Sequence, residues 1–157
     1  RKVLYSGFGL QNKFSLWERP KFSNYQATVG IVQFSRARQM THVRIRHAKI
    51  LEQMLKDIKI FNLPTKSEDC YWNYQYYVIY VKKRAQEIFD KMYSKGICLM
   101  KEDLWDCTKY DFAKEFYRAC PVASSHASGL IRVQNNSLLS EKNIKRIGDH
   151  LLQIANE

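Results

Sequence analysis

Between Tyr25 and Ile58, eight apolar residues and one histidine recur at steps that are mostly three or four: Tyr25, Val29, Val32, Met40, Val43, His47, Ile50, Met54 and Ile58. That spacing predicts one face of a long helix, straight or with a kink. Arg36, Arg38, Arg44, Arg46, Lys49 and Lys56 supply its polar surface. Ser23 or Asn24 is suited to cap the start, since either side chain accepts a hydrogen bond from the free amides of a first turn. Asn62-Leu63-Pro64 is the predicted stop.

The period then changes. Tyr74 to Val81 alternates two sets, Tyr74/Tyr76/Val78/Tyr80 and Tyr77/Ile79/Val81, which predicts a strand covered on most of both faces. Arg84 to Lys95 returns to helical spacing with Ile88, Phe89 and Met92 inward, and Gly96 is placed for the left-handed conformation that ends a helix. Ile97 to Met100 reads as a short strand, Asp111 to Arg118 as a helical turn or two, and Cys120-Pro121 as the start of a further helix broken by Gly129. Leu130 to Val133 reads as a strand. Ser140 caps a last helix whose stripe is Ile144, Ile147, Leu151, Leu152 and Ile154. Before all of this, Arg1 to Pro20 has no period. Gly7, Gly9, Tyr5, Phe8, Phe14 and Trp17 mark an aromatic arm that must lie on something to be stable in water.

The expected fold is α/β: a long N-terminal helix, then a small, mainly antiparallel sheet packed on helices. The expected division is residues 1–22 as an irregular arm, 23–62 as the long helix and 63–157 as a small α/β domain.

At 157 residues and 45% hydrophobic composition the chain is long enough for one domain with a real core. No apolar run approaches the ~20 residues of a membrane helix, and no signal peptide is visible. A cytoplasmic protein is expected. The first residue is not Met, in keeping with a fragment.

Net charge is +11. Three readings are open: a nucleic-acid partner, a basic piece of a larger protein whose acidic part lies elsewhere, or a site for a phosphate or nucleotide-sugar. The cations are spread without a block of five, which weighs against nucleic acid. A stacking platform built from Tyr71, Trp72, Tyr74, Tyr76, Tyr77 and Tyr80 is disfavoured too, because the basic residues lie mainly elsewhere.

Candidate chemistry is thin. Cys70, Cys98, Cys107 and Cys120 form no C-x-x-C pair and no zinc spacing with His42, His47 or His126, so four reduced, mostly buried thiols are expected and no metal site. No phosphate-binding glycine loop and no nucleophile elbow is present. His42, His47, His126 and His150 have no catalytic partner at a telling spacing, and Glu102, Asp103 and Asp106 read as a solvated loop. Asn135-Asn136-Ser137 matches a glycosylation acceptor but reads more simply as a turn. No catalytic residue is assigned on this chain.

One run is more informative. Ser23-Asn24-Tyr25-Gln26-Ala27-Thr28-Val29-Gly30 resembles the Ser/Thr-Asn/Asp-x-Gln-Ala-Ala-x-Gly signature of the pyridoxal-phosphate-dependent sugar aminotransferases, the DegT/DnrJ/EryC1/StrS family. Further matches follow in order. Arg44 falls in the region of an Arg-rich helix, and Tyr74-x-Tyr76-x-Val78-x-Tyr80 with Arg84 is similar to a Tyr-containing strand and the Arg that begins the next helix. Gly96-Ile97, the segment Cys120-Pro121-Val122-Ala123 and Leu139-Ser140-Glu141 complete the series. The chain departs from the pattern at Arg19-Pro20-Lys21, where the family commonly has Asn-Tyr-Arg, at Leu99-Met100-Lys101 and at Val133-Gln134.

The resemblance implies the C-terminal part of a fold-type I aminotransferase. The complete enzyme would move an amino group from an amino acid to a keto-sugar carried on a nucleotide. The lysine that holds pyridoxal phosphate would lie outside this chain. The long helix becomes an interface helix, and the partner is a homodimer mate or the missing N-terminal cofactor domain. Arg19, Lys21, Ser23 and Asn24 are the implied cofactor-binding residues, with the two cations replacing the family's residue at the cofactor phosphate. The alternative is a stand-alone basic module that binds nucleic acid or another anionic partner.

Overall fold

The computed structural model describes residues 22–101, 115 and 118–157. The aromatic arm, the acidic loop around Trp105, Cys107 and nearly all of the 111–118 helical turn lie outside the described residues. So do Arg19 and Lys21. The chain divides into two units, Arg1–Ala37 and Arg38–Glu157. The boundary falls inside the first helix, α1, which spans Asn24–Leu55.

In the second unit, a four-stranded antiparallel sheet carries the core. Its strands are β1 (Phe61–Asn62), β2 (Tyr76–Val81), β3 (Leu99–Lys101) and β4 (Leu130–Gln134), in the order β1-β2-β4-β3. β2 and β4 are central, with Ile79 opposite Ile131 and Tyr77 opposite Val133. Alternation along these strands puts Tyr77, Ile79, Val81, Ile131 and Val133 on one buried face. Leu99 and Phe61 are also buried, and all seven belong to one core cluster with residues of the helices.

Among the described residues three more helices follow: α2 (Ala85–Ser94), α3 (Pro121–Ala127) and α4 (Glu141–Asn156). α2 contributes Ile88 and Met92 to the core, and α4 contributes Ile144, Leu151 and Ile154. Their ends follow local chemistry. Gly96, at φ 73°, lets the Ile97 amide donate to the Met92 carbonyl at 3.0 Å, closing α2 as expected. Pro121 opens α3, where no amide donor is needed. The Ser140 hydroxyl accepts from the Asn143 amide at 3.2 Å and starts α4.

Three expectations need correction. The first helix ends at Leu55, short of Asn62-Leu63-Pro64, because Phe61 is drawn into pairing with Val81 and buried there. The core-facing residues of α1 are His47, Ala48, Leu51 and Leu55. The stripe through Met40, Val43, Ile50 and Met54 is only half-buried, on the flank of that contact, and Tyr25, Val29 and Val32 are exposed. Finally, Cys70, Cys98 and Cys120 are exposed, since they sit in turns and at the N-cap of α3 where no core exists to receive them. Among the described residues no helix is long and apolar enough to cross a membrane.

Candidate functional site at the start of the first helix

Ser23 and Asn24 are brought together at the N-terminus of α1, both exposed. Ser23 is the N-cap, and Gln26 of the signature run completes a reciprocal box with it. The Gln26 amide donates to Ser23 Oγ at 3.2 Å, and the Ser23 amide donates to Gln26 Oε1 at 3.0 Å. The Ser23 hydroxyl donates to the same oxygen at 3.1 Å. This is the Ser-x-x-Gln form of the capping box, so the glutamine has a local structural reason to stand three residues after the serine. The Ser23 carbonyl already accepts from the Ala27 amide at 2.9 Å. Among the described residues the amides of Asn24 and Tyr25 have no backbone acceptor, and the Asn24 side chain stands at the same end. Free first-turn amides and the positive end of the helix dipole favour an anion there.

Several of the other resemblance positions have internal partners, whereas the buried Arg44 Nε has none among the described residues. Arg84 is the N-cap of α2 at φ 68°, and its guanidinium holds Glu87 through two bonds of 2.6 and 2.7 Å. Lys91 bridges Glu87 and Glu157 at 3.0 and 2.7 Å. Arg84 and Lys91 hydrogen-bond the Glu87 carboxyl and hold it well below the usual range, at about 2. The strand tyrosines do not form one platform. Tyr77 is buried, its phenol pushed up by burial and by the nearby Glu52 and Tyr74. Tyr76 carries the Arg132 guanidinium 4.4 Å above its ring, and Tyr80 stacks on His126 at 4.4 Å.

One polar cluster escaped the sequence reading. His47 and Asn135 are both buried, and His47 Nδ1 lies 3.1 Å from Asn135 Oδ1. Asn135 Nδ2 donates to the Arg44 and Tyr74 carbonyls, each at 2.9 Å. Two carbonyl acceptors fix the amide orientation, so Oδ1 faces the ring and Nδ1 must carry its proton. Asn135 is therefore a hub joining α1, the approach to β2 and the end of β4, where the sequence indicated only a turn. His47 is a satisfied core histidine. Among the described residues no group of three His, Cys, Asp or Glu side chains could hold a metal ion.

Solved structures share this fold at low identity. DesV of S. venezuelae superposes with a TM-score of 0.79 at 16% identity, over 84% of this chain and 36% of its own. PseC of Helicobacter pylori, an aminotransferase involved in pseudoaminic acid biosynthesis, gives 0.77 at 15% identity over 98% of this chain and 43% of its own. Spr1654 of Streptococcus pneumoniae in its PLP form, a sugar-aminotransferase candidate, gives 0.76 at 14% over 85% and 36%. The chain thus spans well under half the length of these proteins. No curated protein sequence is a significant match. The model of the DegT/DnrJ/EryC1/StrS aminotransferase family matches residues 16–152, and the chain belongs to that family.

Proposed function

We propose that this chain is the C-terminal part of a pyridoxal-phosphate-dependent sugar aminotransferase that moves an amino group from an amino acid to a keto-sugar carried on a nucleotide. Its own contribution is subunit pairing, one wall of the sugar site, and a hold on the cofactor phosphate at the start of α1. When bound, the cofactor supplies the electron sink that makes amino transfer possible, through a lysine elsewhere in the enzyme. The observation that carries the reading is the capped start of α1, which lies inside the residues the family model matches.

The chain's residues act by binding and orientation. The Ser23–Gln26 box holds the first turn rigid, so the Asn24 and Tyr25 amides are presented in a fixed direction. A phosphate there gains two amide donors and the helix dipole. Arg19 and Lys21 precede this turn in sequence and add charge, Arg19 standing where the family commonly has a neutral Asn and Lys21 where it commonly has an Arg.

The test is the double substitution Arg19→Ala, Lys21→Ala in the complete enzyme. We expect cofactor affinity and turnover to fall by at least about tenfold, the scale of one lost charge-assisted contact, with an unchanged far-ultraviolet spectrum. Unchanged cofactor affinity would remove both cations from the site.

A further inference from the structure

Where β3 begins and β4 ends, the surface falls into a cleft of about 320 Å³ against the first turns of α4, at the small end of the range for ligand pockets. The chain's own geometry makes it. Leu99 pairs with Val133, so Cys98 and Gln134 stand together just beyond the last pair of the sheet. Asn143, Arg146 and Ile147 stand at three- and four-residue steps on α4, so they share the helix face that closes the other side.

Two kinds of surface meet there. The floor is apolar. Leu99 and Val133 are buried in it, while Ile97, Leu139 and Ile147 pack on the core and remain only half-buried. The rim is polar, and its side chains are not used within the chain. The Asn143 amide serves the Ser140 cap, but the side chains of Gln134, Asn143 and Arg146 have no hydrogen-bond or ion-pair partner among the described residues. Arg84 and Lys91, by contrast, are tied to Glu87 and Glu157. Open apolar surface beside a few convergent polar groups is the composition of a small-ligand site, where the floor holds the body and the rim fixes its orientation.

We propose that this cleft binds a small organic carboxylate with an apolar body. Charge selects the head group. Among the described residues Arg146 is the only cation lining the cleft, and no Asp or Glu lines it to compete. One guanidinium matches one negative charge, and its planar fork donates two parallel bonds to the two oxygens of a carboxylate. The carboxamides of Asn143 and Gln134 can donate from the flanks. A phosphate dianion would meet one positive charge for its two negative ones and would leave the floor of Ile97, Leu139 and Ile147 uncovered. The site stands apart from the cofactor hold proposed at α1, and either can fail without the other.

The protein carries its own reporter. Cys98 lines the cleft and is exposed, while Cys70 and Cys120 are exposed and do not line it. The test is alkylation of the intact protein by iodoacetamide, with the rate at each cysteine read by peptide mass mapping in the presence and absence of sodium hexanoate. A dissociation constant of about 5 mM is modest for a ligand of about eight heavy atoms. At about 20 mM hexanoate it would slow Cys98 about fivefold, because the open fraction of the cleft falls as one over 1 + [L]/Kd. The rates at Cys70 and Cys120 should not change. Acetate has the head without the body and hexan-1-ol the body without the head, so each should protect Cys98 far less than hexanoate does. Arg146→Gln, at an exposed position, should abolish the protection and leave the far-ultraviolet circular dichroism unchanged. An unslowed Cys98, equal slowing of all three thiols, equal protection by hexan-1-ol, or protection that survives Arg146→Gln would overturn the proposal.

Discussion

Asn135→Ala is the substitution from which the structure yields the largest worked effect. The amide serves three partners: the His47 ring, the Arg44 carbonyl and the Tyr74 carbonyl. They are not equal. The Arg44 carbonyl lies inside α1 and keeps its helical amide when Asn135 is lost, so its share is smallest. The Tyr74 carbonyl and the protonated Nδ1 of His47 are left without this partner, and His47 is 1% exposed, so water cannot replace it at the ring. An unsatisfied buried group costs about 1–3 kcal/mol. Two such groups, with the void left by the amide, give about 3–5 kcal/mol. Against a domain stability of about 5–15 kcal/mol, that is enough to lower a urea midpoint sharply. The assay is equilibrium urea unfolding of Asn135→Ala, His47→Leu and the double variant. The double variant should cost clearly less than the sum, because removing both partners of a buried bond leaves no orphan between them. A loss below about 1 kcal/mol for Asn135→Ala, or strict additivity in the cycle, would refute the hub.

Two further expectations concern packing and pH. A Cβ on Gly129 would stand 2.5 Å from the Tyr80 ring and 2.6 Å from the Val81 carbonyl oxygen, whereas on Gly148 it meets the end of the Met54 side chain at 2.6 Å. Backbone cannot swing aside as a thioether can, so Gly129→Ala should destabilise by about 1–3 kcal/mol and more than Gly148→Ala in thermal melts; the reverse order would count against the close approach of α3's end to β2. Because Glu87 is held down to about 2 by its ion pairs with Arg84 and Lys91, its contribution is fully present above the ordinary carboxylate range and is lost as pH falls toward that value. Glu87→Gln should therefore flatten the fall in stability between about pH 5 and pH 2, and an identical acid limb in both proteins would show that the pairs contribute nothing.

Local chemistry was legible wherever one residue and its near neighbours decide the outcome. Ser140, Pro121 and Gly96 mark helix ends by their own bonding, and the alternation through Tyr77, Ile79 and Val81 announces β2. The start of α1 was readable because Ser23 and Asn24 are both side chains suited to cap a first turn. What failed was set across the chain. β1 is two residues long and carries no period, and it exists because Val81 offers Phe61 a partner. The true inner face of α1 depends on where the sheet lies beneath it, which its own sequence does not encode, so Ala48, Leu51 and Leu55 were passed over for their flank. His47 and Asn135 are 88 positions apart, and neither residue hints at the other. Within the candidate site, sequence located Ser23 and Asn24 and allowed either as the cap, but missed that Gln26 closes a reciprocal box with Ser23, which leaves the anion to the backbone amides.

The sheet order β1-β2-β4-β3 also governs how this domain can be made. Its central pair joins Tyr76–Val81 to Leu130–Gln134, so neither central strand can complete its hydrogen bonding until the later one has been synthesised. Before that point the sheet amounts to two residue pairs between β1 and β2, and β3 has no neighbour at all. Closing that long loop costs entropy before any contact repays it, which slows folding. On the ribosome, β2 and Leu99 must therefore wait for Ile131 and Val133 before their strand pairing can form. A chain cut short before Gln134 would be a substrate for chaperones and proteases, not a smaller folded domain.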